Sequence, residues 1–314
     1  MLKTLVTSLF ILFVFQTALP AQYRVKTHES VEIGGLQQWV GAVGQDDSKP
    51  LLLFLHGGPG FSSRGYAKTF IRHLKKDFIV AQWDQRGTGI TQSWNPAPDP
   101  ITVAQMHQDT EAVVRYLLQK FNKEKLYLVG FSWGGFLGLH LADQHPELLH
   151  AYISVSGITH GHTSERANLK EMLARAQEEN NELALSELAT VQVPFTHWEQ
   201  LYLLRKWSGH YASQKAPARP APRSFFEDWS AQWLDVFVEA AAVNYPERVP
   251  ELRCPVYFFL AEKDLTVNAG VSQAYAEALR APHKEVVWFY ESTHAIASDE
   301  PKKFSQALIK ILQP

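Results

Sequence analysis

The stretch that decides the fold reads Leu126-Tyr127-Leu128-Val129-Gly130-Phe131-Ser132-Trp133-Gly134-Gly135. Leu126 to Val129 reads as a short strand. Trp133 to Gln144 reads as a helix that ends near Pro146. Between them stands a G-x-S-x-G pattern, which is weakly diagnostic when alone. Placed between a strand and a helix, it describes a sharp turn that lifts a serine hydroxyl clear of the backbone. The small flanking residues let strand and helix approach closely. The start of the helix also favours negative charge nearby. Ser132 is therefore the candidate nucleophile.

Outward from this turn, strand-length apolar runs alternate with helical patterns. Leu51 to Leu55 has no polar alternation, which suits a strand buried on both faces. Phe78 to Trp83 and Ala151 to Val155 read as further strands, and Val103 to Phe121 as a helix. Val31–Ile33 and Trp39–Val43 read as an opening antiparallel hairpin joined at Gly34-Gly35. Such alternation predicts an α/β fold, with a mostly parallel sheet flanked by helices. The rhythm then breaks. The next strand, Val256 to Leu260, begins about 100 residues after Val155, whereas a crossover needs only a dozen or more. Helical patterns over 166–182, 196–207 and 225–243 fill the gap, with a stiff proline-rich connector at 216–222. Residues 159–248 are read as an inserted helical cap on a core made of 22–158 and 249–314. A helix near 271–279, a strand over Val286–Tyr290 and a closing helix over 301–311 complete that core.

Composition bounds the function. The 314 residues are 46% hydrophobic and 20% charged, enough for a sizeable core. A net charge of −2 with pI near 6.7 points away from nucleic acid as a partner. The single cysteine, Cys254, excludes an intrachain disulfide and reads as a buried thiol. No Cys/His cluster has metal-ligand spacing, so neither a metal nor a cofactor is implied. Residues 1–21 have a different character: Lys3, an apolar run from Leu5 to Phe15, then Ala18-Leu19-Pro20-Ala21. That layout reads as a signal peptide for export to the periplasm or the medium, with cleavage expected after Ala21 and an uncleaved membrane anchor as the alternative. The apolar run is short for a span, which needs about 20 residues. No stable membrane partner is expected after cleavage.

A serine hydroxyl is a poor nucleophile without a base. In a fold of this kind the partners follow in the order serine, acid, histidine. Val256–Leu260 leads into Ala261-Glu262-Lys263-Asp264, which makes Asp264 the candidate acid and Glu262 its alternative. Val286–Tyr290 leads into Glu291-Ser292-Thr293-His294, which singles out His294 among 13 histidines. Asp264 would orient His294, and His294 would take the Ser132 proton. The oxyanion hole is expected from the backbone N–H of Trp133 and of Gly58. Gly58 lies in His56-Gly57-Gly58-Pro59-Gly60, directly after the 51–55 strand. His56 is read as holding that loop, and Asp84, Gln85 and Arg86 as a structural loop behind it.

His56-Gly57-Gly58-Pro59-Gly60, Trp83-Asp84-Gln85-Arg86-Gly87-Thr88-Gly89 and Gly130-Phe131-Ser132-Trp133-Gly134-Gly135 together resemble the proline iminopeptidase family of α/β-hydrolases. The resemblance covers about residues 30 to 157 and 250 to the end. It implies an aminopeptidase that releases N-terminal residues, often proline, from short peptides through an acyl-enzyme. It also implies acidic cap side chains that bind the substrate's α-ammonium. Glu199, Glu227, Asp228, Asp235 and Glu239 are the candidates, all on helical patterns where such residues are more often solvated faces. The usual Asp-Gln-Arg-Gly-Cys-Gly-Arg-Ser continues here as Thr88-Gly89-Ile90-Thr91, without the second arginine. An esterase or amidase acting on a small acyl substrate would use the same triad. Trp198, Trp207, Trp229 and Trp233 could line an apolar pocket, although at helical spacing aromatics more often pack.

Overall fold

A computed structural model describes residues 24–95, 101–212 and 221–312. The expected signal segment, 1–21, and most of the proline-rich connector lie outside the described residues. Eight strands form one sheet: β1 (Val25–Ile33), β2 (Leu36–Gly44), β3 (Leu51–Leu55), β4 (Ile79–Asp84), β5 (Leu126–Phe131), β6 (Leu149–Val155), β7 (Val256–Ala261) and β8 (Lys284–Phe289). Their spatial order is β1-β2-β4-β3-β5-β6-β7-β8. The β1–β2 and β2–β4 pairs are antiparallel, and every other pair is parallel. The opening hairpin turns at Gly34 and Gly35, whose φ angles of +55° and +78° are the left-handed values that a tight two-residue turn requires.

The pattern of β3 follows from its place in the middle of the sheet. Leu51, Leu53 and Leu55 point into one apolar cluster, and Leu52 and Phe54 into another on the opposite face. Successive side chains alternate between faces, so a strand covered on both sides must be apolar throughout. Each such leucine contributes roughly 1.5–3 kcal/mol by leaving water. The first cluster holds the Val103–Lys120 and Trp133–Gln144 helices against the sheet. The second holds the Lys68–Leu74 and Pro301–Lys310 helices, with Phe70 and Phe304 in edge-to-face contact at 5.4 Å. Cys254 is buried, and burial pushes its thiol up to about 11, which suppresses the reactive thiolate.

Between β6 and β7 the described chain is helical: Gly161–Glu178, Glu182–Leu188, Trp198–Ala212, Arg223–Ala241 and Tyr245–Arg248. The first begins at Gly161, five residues before the periodicity expected over 166–182. On the Arg223–Ala241 helix, Trp233, Val236, Phe237 and Ala240 are buried, at the three- and four-residue spacing of an inward stripe. These helices are bolted to the core at two loops. The Trp229 indole Nε1 donates to the carbonyl of Pro59 at 2.9 Å. The backbone N–H of Asn268 donates to Ser164 Oγ at 2.7 Å, and Asn268 Nδ2 donates to Asn168 Oδ1 at 2.9 Å.

Candidate active site

Ser132 stands between β5 and the Trp133–Gln144 helix, with φ 53° and ψ −113°. A non-glycine residue held there costs on the order of 1–3 kcal/mol and persists only where its surroundings enforce it. Here they do. The Ser132 N–H donates to Val155 at 3.0 Å, and its carbonyl accepts from Gly135 at 2.9 Å and from Ile158 at 3.2 Å. The flanking glycines answer to space. A Cβ on Gly134 would lie 2.2 Å from the Leu55 carbonyl oxygen, and one on Gly130 2.4 Å from the Gly134 oxygen. The turn is therefore pressed against the end of β3.

His294 follows β8 and Asp264 follows β7, and these two strands pair in parallel. Their loops leave the same edge of the sheet, which brings His294 Nδ1 to 2.8 Å from Asp264 Oδ2. The other carboxylate oxygen, Asp264 Oδ1, accepts the N–H groups of Thr266 at 2.8 Å and Val267 at 2.9 Å. The carboxylate is almost wholly buried, while the imidazole is 21% exposed. The histidine loop is pinned in turn. Thr293 donates its N–H and Oγ1 to Asp299, at 2.9 and 2.7 Å, and Ser292 Oγ donates to Glu300 at 2.6 Å. Glu262, the alternative acid, is exposed.

Ser132 and His294 line one cavity of about 460 Å³, together with Gly57 and Gly58 from the loop after β3. Trp133 is the first helical residue, so its N–H is among those without an intrahelical acceptor. The loop glycines are held by the residues behind them. Gln85 N–H donates to His56 Nε2 at 3.2 Å, so His56 Nδ1 carries the proton and donates to the Gly57 carbonyl at 2.8 Å. The Gln85 amide donates to the His56 carbonyl at 3.1 Å and accepts from the Trp133 indole at 3.0 Å. Burial pushes the His56 imidazole down to about 4, which keeps it neutral in this role. Arg86 grips Asp109 through two nitrogens, at 2.8 and 3.1 Å. Asp84 accepts from the Ser62 hydroxyl and from the Ile90 N–H at 2.9 Å. The 84–86 segment is thus structural, as the sequence suggests.

A family model described as the alpha/beta hydrolase fold matches residues 50–301. The chain belongs to that family. This α/β-hydrolase is 28% identical over 311 residues to the probable aminopeptidase YbaC of Bacillus subtilis (strain 168), covering 92% of this chain and 97% of that one. A shorter match, 32% identical over 127 residues, is to the proline iminopeptidase of Lactobacillus helveticus (strain DPC 4571); it covers 40% of this chain and 42% of that one. Among solved structures, a proline iminopeptidase-related protein from Thermus thermophilus aligns with a TM-score of 0.64 at 21% identity, covering 92% of this chain and 97% of that one. At that identity the likeness is one of fold.

The remaining walls of the hydrolase cavity are mostly apolar and aromatic, including Leu201, Phe225, Phe226, Trp229 and Phe237. Of the four tryptophans considered from sequence, Trp229 lines the cavity, Trp207 and Trp233 are buried, and Trp198 is half-buried. Glu199, Glu227 and Glu239 are not among the lining residues, nor are Asp228 and Asp235. The five cap carboxylates singled out from sequence thus lie outside the lining of this cavity. The acidic side chain that does line it is Glu165, 4% exposed, on the Gly161–Glu178 helix. Its carboxylate is held by both terminal nitrogens of Arg205, one of them at 2.9 Å. Burial works against the Arg205 charge, but the Glu165 carboxylate outweighs it and raises the guanidinium above its ordinary value. Reading the helix from residue 166 leaves Glu165 just outside it. The spacing of Gly161, Ser164, Glu165, Asn168 and Met172, all buried, was the signal for its inward face.

Proposed function

We propose that this protein is a serine hydrolase in which Ser132 is the nucleophile, His294 the general base and acid, and Asp264 the residue that orients His294. The observation that carries this reading is the 2.8 Å contact of His294 with a buried, doubly hydrogen-bonded Asp264, in a cavity that Ser132 shares. Ser132 Oγ attacks the substrate carbonyl while His294 Nε2 takes its proton. The tetrahedral oxyanion accepts from the N–H groups of Gly58 and Trp133. His294 then protonates the leaving group, and water cleaves the acyl-enzyme by the reverse sequence.

Its substrates on this reading are short peptides with a free amino terminus and an apolar first residue. Two features support that. The full-length relative in Bacillus subtilis is named a probable aminopeptidase, and the cavity pairs an aromatic wall with the Glu165 carboxylate, a partner for an α-ammonium. A second reading, an esterase or amidase for a small apolar acyl group, is favoured by one observation: Arg205 already engages Glu165. Comparing a prolyl- or leucyl-arylamide with its N-acetylated form and with an apolar acyl ester tests both. Loss of turnover on acetylation supports the aminopeptidase; indifference to it, with faster ester cleavage, supports the esterase. Export through residues 1–21 is part of the same proposal, and an N-terminus found intact in the cytoplasm would count against it.

A further inference from the structure

Tyr66 raises a question that packing does not answer. It follows a short turn at Ser63–Gly65, on the segment that leaves β3 through Gly57 and Gly58. Its ring meets Phe54 at 6.4 Å, Phe70 at 6.4 Å and Phe131 at 6.5 Å. A phenylalanine would make every one of those contacts. The phenol oxygen is nevertheless present, buried, and without a hydrogen-bond partner among the described residues. Leaving a buried hydroxyl unpaired costs about 1–3 kcal/mol. The backbone around it is fixed: the Tyr66 N–H donates to Ser63 at 3.1 Å, and its carbonyl accepts from Thr69 Oγ1 at 2.7 Å. The ring is thus anchored, while its polar tip has no partner among the described residues.

The place of that ring is specific. Tyr66 lines the same cavity as Ser132, Gly57, Gly58 and His294. A Cβ built on Gly57 would stand 3.0 Å from the Phe131 ring and 3.2 Å from Ser132 Cβ, so loop, Phe131 and serine are in close contact. His294 also touches the Phe131 ring, at 4.9 Å, and the leaving group belongs to His294. On the serine-nucleophile reading, the loop of Gly57 and Gly58, which Tyr66 follows in the same cavity wall, is the side of Ser132 that receives the oxyanion. Burial raises the phenol above its ordinary pKa, so it stays protonated and acts as a donor, never as a base.

We infer that the Tyr66 hydroxyl is a third donor to the oxyanion that forms when Ser132 attacks, beside the backbone N–H groups of Gly58 and Trp133. The inference rests on the serine-nucleophile reading above. Its hydrogen bond closes only around a bound substrate, as catalytic hydrogen bonds commonly do.

The test is Tyr66→Phe, read by the second-order rate of inactivation by a fluorophosphonate, whose phosphoryl oxygen takes the oxyanion position, and by the thermal midpoint. The expected result is inactivation slowed about 10- to 100-fold, with a midpoint unchanged or higher because the unpaired hydroxyl is gone. A folded variant inactivated at the wild-type rate overturns the role of Tyr66 and leaves the nucleophile standing. A wild-type protein that the probe never labels overturns both.

Discussion

Asp264 and His294 meet through a single oxygen: Oδ2 lies 2.8 Å from His294 Nδ1, while Oδ1 is spent on the N–H groups of Thr266 and Val267. The carboxylate thus cannot turn away from the imidazole without breaking two backbone hydrogen bonds. These three contacts favour the tautomer with the proton on Nδ1, which on the serine-hydrolase reading leaves Nε2 to act as the base.

Asp264→Asn keeps the shape and removes that preference. The turnover number should fall by roughly 10³- to 10⁴-fold, as when a triad aspartate is made neutral, with KM little changed. Glu262→Gln, at an exposed position, should leave turnover within about twofold. Steady-state kinetics on one arylamide or ester checks both, and the reverse pattern would move the acid to Glu262.

Glu165 and Arg205 form a largely buried pair, with side chains 5% and 20% exposed. Removing one partner strands the other charge, at a typical cost of about 3–5 kcal/mol. Glu165→Ala should destabilise the fold by about that much in urea unfolding. The double variant with Arg205→Met should recover part of the loss, since no unpaired charge remains. If the aminopeptidase reading holds, Glu165→Ala also raises KM for the free-amine substrate and leaves it unchanged for the N-acetylated one.

The glycine after Trp133 gives a stability prediction. A methyl on Gly134 would sit 2.2 Å from one backbone oxygen and 2.8 Å from another, those of Leu55 and His56. Backbone atoms of a central strand cannot swing aside as a flexible side chain can. Gly134→Ala should cost at least about 3 kcal/mol or yield insoluble protein, read by urea midpoint or soluble yield. A Gly134→Ala protein as stable as wild type would mean that strand and helix are further apart than described.

Two histidines make stability depend on pH. Burial pushes His56 down from 6.5 to about 4, and burial with the neighbouring His140 pushes His107 down to about 3. The His107 ring stacks on His140 at 3.6 Å. Both are neutral when folded, so the unfolded chain takes the protons first as pH falls. Their contribution is complete above about pH 6.5 and is lost towards about pH 4 and pH 3. Between about pH 7 and pH 4.5 each should remove roughly 2–3 kcal/mol of stability. Urea unfolding across that range checks it, and His107→Phe should flatten the slope.

The core and the candidate triad were legible in sequence because each rests on a local signal. Double-sided burial made β3 apolar throughout, and the approach of Gly134 to Leu55 demanded glycine in the turn. Asp264 and His294 could be chosen because each follows a late strand. The short helices at Lys68–Leu74 and Gly89–Trp94 carry too few turns to show a period. Glu165 was missed for a different reason. The three- and four-residue spacing of Gly161, Ser164, Glu165, Asn168 and Met172 shows an inward face only when the helix is read from Gly161 and not from residue 166, and the partner Arg205 lies 40 residues further on. Tyr66 likewise looks like any packing aromatic until its buried hydroxyl is found without a partner among the described residues.

The most direct test of the serine-nucleophile reading is intact-protein mass spectrometry after fluorophosphonate treatment, with the adduct mapped by peptide. One adduct is expected on the peptide carrying Ser132 in the wild-type protein, and none in Ser132→Ala. An adduct that survives in Ser132→Ala, or that maps to another residue, would contradict the assignment of Ser132 as the nucleophile.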